Sequence, residues 1–146
     1  MNNSFGFIGA GNMGGALARA AARAADQDML FIADKFADKA QALAAELGCR
    51  AATAEEIAQN CGFIVLGVKP QMLGALLEEL KPILEARNGD FVMVSMAAGV
   101  AMADIRRMAG ADYPVIRIMP NTPVAAGKGV VLYDHTENVP AEAVQA

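Results

Sequence analysis

The sequence predicts an α/β fold, a doubly wound and mostly parallel sheet with helices on both faces, and three observations predict it. Short apolar runs of about five residues, rich in Phe, Ile and Val, alternate with longer Ala-rich stretches whose charges recur at helical spacing. One run, 63–68, is apolar throughout, as a strand covered on both faces must be. The first run is followed at once by a glycine-rich turn and a stretch of Ala and Leu slim enough to lie close on a sheet.

Taken in order, the first strand is expected at 5–8, with a helix over 12–25 after the glycine turn and a second strand at 29–33. A helix over 37–47 follows, stopped by Gly48 in the place where a left-handed residue caps a helix. A short strand is expected near Arg50. The next helix, 55–59, is started by Thr53, whose hydroxyl can accept an orphan N–H and whose spacing to Glu56 fits a capping box. The fourth strand, 63–68, is expected at the centre of the sheet, ended by Lys69-Pro70 because proline cannot donate to a ladder. A helix from Gln71 to about Leu80 then runs until Pro82 bends or stops it. Strands at 91–95 and 115–119 flank a short helix at 101–108, 120–123 is a rigid loop, and 130–133 adds an edge strand. The tail 138–146 is weakly helical with nothing visible to pack against.

Composition narrows the partners. The chain has 146 residues, 55% hydrophobic, with 16 acidic against 12 basic side chains and a net charge of -4. A chain of this size buries about 70% of its unfolded surface and needs no metal or disulfide to hold a core. The dispersed Lys and Arg offer no basic patch for nucleic acid or an anionic membrane. The longest uncharged apolar run, 91–103, is too short to cross a bilayer. Cys49 and Cys61 have no CxxC or His neighbour at metal-ligand spacing and read as buried small hydrophobes, so no metal site is expected. His135, the sole histidine, lies in a polar stretch and reads as surface loop. With no secretory signal at the start, a cytoplasmic setting follows by elimination.

The chemistry is concentrated at strand ends. Gly9-Ala10-Gly11-Asn12-Met13-Gly14 is a GxGxxG that leaves a strand and opens a helix, the context in which that pattern carries weight. Gly9 permits the tight turn, Gly11 lets the backbone approach a pyrophosphate, and Gly14 lets the helix sit close to the strand. The helix start then offers free N–H groups to the phosphates. This context implies a Rossmann-type fold and a dinucleotide cofactor; the blander reading is that the glycines only make a sharp turn between strand and helix.

Asp34 ends the second strand about twenty residues on, where a carboxylate accepts from the adenosine ribose 2′-hydroxyl, as NAD requires; the blander reading is that it caps the following helix. Lys35 could instead meet the 2′-phosphate of NADP, so NADPH and NADH both stay open. Val68-Lys69-Pro70, Ser95-Met96-Ala97-Ala98-Gly99 and Met119-Pro120-Asn121-Thr122-Pro123 fall at the carboxyl ends of other strands and would line the same crevice. Lys69 is a cation near that crevice or simply a solvated loop lysine.

These segments, Phe7 to Gly14, Val68-Lys69-Pro70-Gln71, Ser95 to Val100 and Arg117 to Pro123, resemble the N-terminal half of the pyrroline-5-carboxylate reductases. The resemblance implies an NAD(P)H-binding domain over 1–137, in which Ile8, Gly9, Ala10, Gly11, Asn12 and Met13 cradle the pyrophosphate and Asp34 and Lys35 meet the adenosine ribose. It also implies that Val68, Lys69, Pro70, Met96, Ala97, Ala98 and Asn121 flank the nicotinamide ribose and ring. The implied reaction is reduction of 1-pyrroline-5-carboxylate to proline. The chain departs from such enzymes twice. Ala33-Asp34-Lys35 stands where relatives often hold the 2′-phosphate with Ser, Asn or Arg. The helical C-terminal domain that pairs subunits and holds the substrate is not represented, 138–146 being the start of the connection to it. No residue here has a claim to be the proton donor, Tyr113 and Tyr133 lying outside every motif, so the chain is expected to bind dinucleotide without turnover and the longer protein to be a homo-oligomer. The rival readings are the cofactor domain of a β-hydroxyacid or 6-phosphogluconate-type dehydrogenase, and a nucleotide-sensing module without catalysis.

Overall fold

In the computed structural model, residues 4–9, 30–68, 70–87, 91–95, 101–111, 113–119 and 132–135 are described. The described residues form a seven-stranded sheet in the order β3-β2-β1-β4-β5-β6-β7. Its strands are β1 (Phe5–Ile8), β2 (Leu30–Ala33), β3 (Arg50–Ala51), β4 (Phe63–Leu66), β5 (Val92–Ser95), β6 (Val115–Met119) and β7 (Leu132–His135). The helices are α1 (Ala37–Leu47), α2 (Ala54–Asn60), α3 (Pro70–Ala86) and α4 (Met102–Ala109). β1 to β6 pair in parallel, and β7 closes the edge antiparallel to β6. β4 is the middle strand, as its apolar run predicts.

The side-chain alternation of each strand sorts the core into two layers. Ile8, Ile64, Leu66, Met93 and Val115 point to one face, under α2, α3 and α4. Phe7, Leu30, Ile32, Phe63, Val65, Val92 and Val94 point to the other, where Ala40 and Leu43 of α1 cover them. Helices therefore lie on both faces, and no described strand end is left to choose its own side.

Local signals in the sequence are met closely. α1 ends at Gly48, whose φ is 72°, with its N–H on the Ala44 carbonyl. Thr53 Oγ1 accepts from Glu56 N at 3.1 Å while Glu56 Oε1 accepts from Thr53 N at 3.3 Å, a complete capping box at the start of α2.

Four expectations are corrected. Pro82 does not stop α3, which runs seventeen residues to Ala86. Leu73, Leu77, Leu80 and Leu84 are all buried along one stripe and hold the helix to the sheet, while Pro82 and Glu78, whose carbonyl loses its partner, face solvent. β4 ends at Leu66, because Pro70 is the first residue of α3 and the chain must turn before it. The edge strand is Leu132–His135 and not 130–133, so His135 is a strand residue paired with Ile116 rather than a loop. Cys61 is buried, but Cys49 is only half-buried. The expected helix 12–25, the loop 120–123, and the tail 138–146 with the domain boundary drawn at its start lie outside the described residues.

Candidate functional site

The strand order reverses direction between β1 and β4: the chain moves outward through β2 and β3 on one side and through β5, β6 and β7 on the other. With β1 to β6 parallel, their carboxyl ends share one rim, and the gap between the βα loops at the reversal is where an open α/β sheet receives a ligand. Two backbone bonds fix that gap. Gly9 N donates to the Ala33 carbonyl and Gly67 N to the Ile8 carbonyl, each at 2.8 Å, so the chain leaves β1 wedged between its two neighbours. Gly9 has φ 109°, and a Cβ there would lie 2.7 Å from the carbonyl carbon and oxygen of Gly67. Only glycine fits a turn of this sign at this distance.

A cavity of about 840 Å³ opens from this point along the β2 side of the rim, within the range usual for small-molecule sites. Of the residues expected to hold a cofactor, Ile8, Gly9, Asp34, Lys35 and Val68 all line it. They come from three separate strand ends. Pro70 begins α3 directly behind the β4 turn. Ala10, Gly11, Asn12, Met13, Gly14, Lys69, Met96, Ala97, Ala98 and Asn121 lie outside the described residues.

Asp34 does not cap α1, whose N-cap is Phe36 without a side-chain acceptor. Its Oδ1 instead accepts from Phe36 N at 2.9 Å, closing a two-residue turn that aims the start of α1 at the cavity. Tyr113, weighed as a possible proton donor, is buried at the opposite end of the sheet against Phe91, with ring centroids 4.9 Å apart, and burial pushes its hydroxyl above its ordinary range. It has no part in the site.

Several lining residues carry no motif and were not expected: Phe36, Thr53 and Met72, and the carboxylates Glu55 and Glu79. Phe36 had a signal, an aromatic residue in the polar stretch after Asp34-Lys35. Glu55 on α2 and Glu79 on α3 had none, since only the packing of two helices brings them together. Their carboxyl groups hydrogen-bond to each other, which holds Glu55 below the ordinary carboxylate range and Glu79 above it. Among the described residues no group of three or more His, Cys, Asp and Glu could hold a metal ion, and no helix is long and apolar enough to cross a membrane.

Known proteins bear on this geometry. The chain is 35% identical over 133 residues to the pyrroline-5-carboxylate reductase of Escherichia coli (strain K12), covering 89% of this chain and 48% of that one. It is 30% identical over 138 residues to the reductase of Aquifex aeolicus (strain VF5), covering 94% of this chain and 49% of that one. The chain thus spans about half the length of the curated relatives it matches. Among solved structures, the Plasmodium falciparum pyrroline carboxylate reductase with NADP bound superposes with a TM-score of 0.80 at 29% identity, over 99% of this chain and 52% of that one. The Coxiella burnetii pyrroline-5-carboxylate reductase gives 0.89 at 27% identity, over 99% of this chain and 54% of that one. Residues 4–99 match the family described as NADP oxidoreductase, coenzyme F420-dependent; with β1 to β5 and the rim cavity all inside that span, the chain belongs to this family.

Proposed function

We propose that this chain is the dinucleotide-binding half of a cytoplasmic pyrroline-5-carboxylate reductase, holding NADPH or NADH for the reduction of 1-pyrroline-5-carboxylate to proline. The observation that carries the reading is the cavity at the sheet's reversal point, into which the expected residues of three strand ends converge around Gly9. The relatives support it: they are reductases of this name, and one was solved with NADP.

Bound there, a reduced nicotinamide supplies a hydride to the carbon of a C=N bond. The work of this chain is placement. Gly9 keeps the first turn flat against Gly67, so that backbone and not side chain meets the diphosphate. By their place in the GxGxxG motif, Ala10, Gly11, Asn12, Met13 and Gly14 are assigned to the same diphosphate contact. Asp34 and Lys35 address the adenosine ribose. Val68, Lys69, Pro70, Met96, Ala97, Ala98 and Asn121 flank the nicotinamide side, fixing which face of the ring the imine can reach. Proton donation and the grip on the substrate carboxylate are assigned to none of the described residues; the curated relatives are about twice as long as this chain.

Titration of the purified chain with NADPH and with NADH tests the reading, followed by melting temperature and nicotinamide fluorescence. Binding of at least one, and its loss in Gly9→Val, is the expected result. If both at saturation leave melting temperature and fluorescence unchanged, the proposal falls.

A further inference from the structure

The row of residues that ends β2, β1, β4 and β5 changes character halfway across the sheet. Pairing sets Ala33, Ile8, Leu66, Ser95, Arg117 and Asp134 side by side, one from each of β2, β1, β4, β5, β6 and β7. Paired residues share a face, and Ala33, Ile8 and Leu66 belong to the layer under α2, α3 and α4, so Ser95 and Arg117 point there as well. On the β2 side, where the cavity opens, the row is apolar and buried. From β5 onward it is polar. Ser95 is fully buried and Arg117 half-buried. Two residues earlier the same two strands pair Met93 with Val115, both apolar and fully buried, so the polarity of β5 and β6 on this face is confined to the rim.

A hydroxyl and a guanidinium in such a layer are costly. Taking a charge even partly out of water demands hydrogen bonds that a Met or Val in the same place would not need. Among the described residues every buried side-chain nitrogen and oxygen has a hydrogen-bond partner, the Ser95 hydroxyl included. Hydrogen bonds are directional, so they fix the height of one strand end against the next more sharply than apolar contact does. An open doubly wound sheet divides a dinucleotide between two halves that meet where the strand order reverses. Asp34 and Lys35, assigned to the adenosine ribose, follow β2; β5 and β6 lie across the reversal and serve the other half.

We infer that Arg117 and Ser95 are positioning residues for the nicotinamide half of the site: they lock the carboxyl ends of β5 and β6 to each other and so fix the points from which the chain meets the ring. Ser95, fully covered, acts through its neighbours and not by contact. The inference rests on the dinucleotide reading above and adds that the two halves of the coenzyme are held by separable sets of residues.

The test titrates this chain and its variants with NADPH and NADH, and with 2′,5′-ADP and 5′-ADP, which carry the adenosine end without a nicotinamide. The parent is expected to hold each dinucleotide more tightly than the matching fragment. Arg117→Met should weaken the dinucleotides by about tenfold, the scale of a charge-assisted bond, while the fragments stay within about twofold. The rise in nicotinamide fluorescence on binding shrinks with it. Arg117→Lys keeps the charge without the planar fork and recovers part of the loss, and Ser95→Ala acts in the same direction by about threefold. Arg117→Met is close in length and apolar, so its melting temperature should match or exceed that of the parent. Val115→Ala, one pair further down the strands, is the structural control: it lowers melting temperature and leaves the ratio of dinucleotide to fragment affinity unchanged. Equal weakening of dinucleotide and fragment in Arg117→Met, no weakening of either, or a parent that holds the dinucleotide no better than the fragment overturns the inference and leaves the adenosine end of the site standing. Were Arg117→Met to fail to fold, Arg117→Lys and Ser95→Ala decide by the same ratio. A parent that binds none of the four removes the underlying dinucleotide reading as well.

Discussion

The two ends of strands β1 and β4 are built from the same parallel pairing and serve opposite purposes. At their amino ends the strands are sealed. Ser4 Oγ accepts from Gly62 N at 3.2 Å and the Ser4 carbonyl from Phe63 N at 2.9 Å; the rings of Phe5 and Phe63 stack with centroids 4.5 Å apart. Arg87 completes the seal, its guanidinium donating to the Ala58 and Cys61 carbonyls at 2.8 and 2.7 Å while lying 5.0 Å from the Phe91 ring centroid. At their carboxyl ends, five residues along, the strands part around Gly9 and Gly67 and the cavity begins. In a parallel sheet every helix returns the chain to the amino end, so that end can be closed by helix C-termini, whereas the turns leaving the carboxyl end are free to diverge. Stability and binding are thereby separated by the length of one short strand.

The largest expected effect comes from filling space at the sealed end. A Cβ on Gly6 would lie 2.2 Å from Ile57 Cγ2 and 2.9 Å from Cys61 Sγ, so α2 cannot sit where it does against any other residue. Gly6→Val should cost about 3 kcal/mol or more in urea unfolding, while the protein that remains folded keeps its dinucleotide affinity. At the open end the order reverses: Gly9→Ala strains a left-handed turn by about 1–3 kcal/mol and should abolish measurable dinucleotide binding. If Gly6→Val harmed affinity more than Gly9→Ala, the division of labour between the ends would be wrong.

Arg87→Ala removes two charge-assisted donors from half-buried carbonyls and should lower stability by about 2 kcal/mol without changing dinucleotide affinity. Thr53→Ala, which breaks the capping box beside the cavity, is expected to cost about 1 kcal/mol by the same assay. The smallest effect sharpens the comparison by chemistry. Burial pushes both thiols above their ordinary range, opposed for Cys61 by Ser4 and Arg87, so both native thiols stay protonated where the unfolded chain has begun to ionise. Native protein then binds more protons than unfolded, and stability declines slightly as pH climbs past the ordinary thiol range. Alkylation at neutral pH should label half-buried Cys49 slowly and Cys61, inside the seal, only on unfolding; equal rates would show the seal to be open.

How much of this was legible beforehand follows the range of the forces involved. Thr53 and Glu56, three residues apart, or Gly48 at the end of an amphipathic stretch, act within one turn of chain, and the structure places them as read. The apolar runs of β1, β4, β5 and β6 announce buried strands because each must hide both faces. The place of Asp34 at the end of β2 is legible, but not its hydrogen bond to Phe36 N, since a carboxylate two residues before an N-cap has several local acceptor roles open to it.

That α3 runs on past Pro82 has a reason of the opposite kind. The proline's intrinsic cost was visible, while the four leucines that hold α3 in register act only once the sheet exists beneath them. The glycine motif, the strand pattern and the aspartate at the end of β2 were thus set by the sequence alone, through sterics and periodicity. The meeting of Glu55 with Glu79, the approach of Ile57 to Gly6, and the gathering of Phe36 and Met72 at one cavity mouth were decided by tertiary structure. Each joins residues of different elements, whose distance is fixed by packing and not by spacing along the chain.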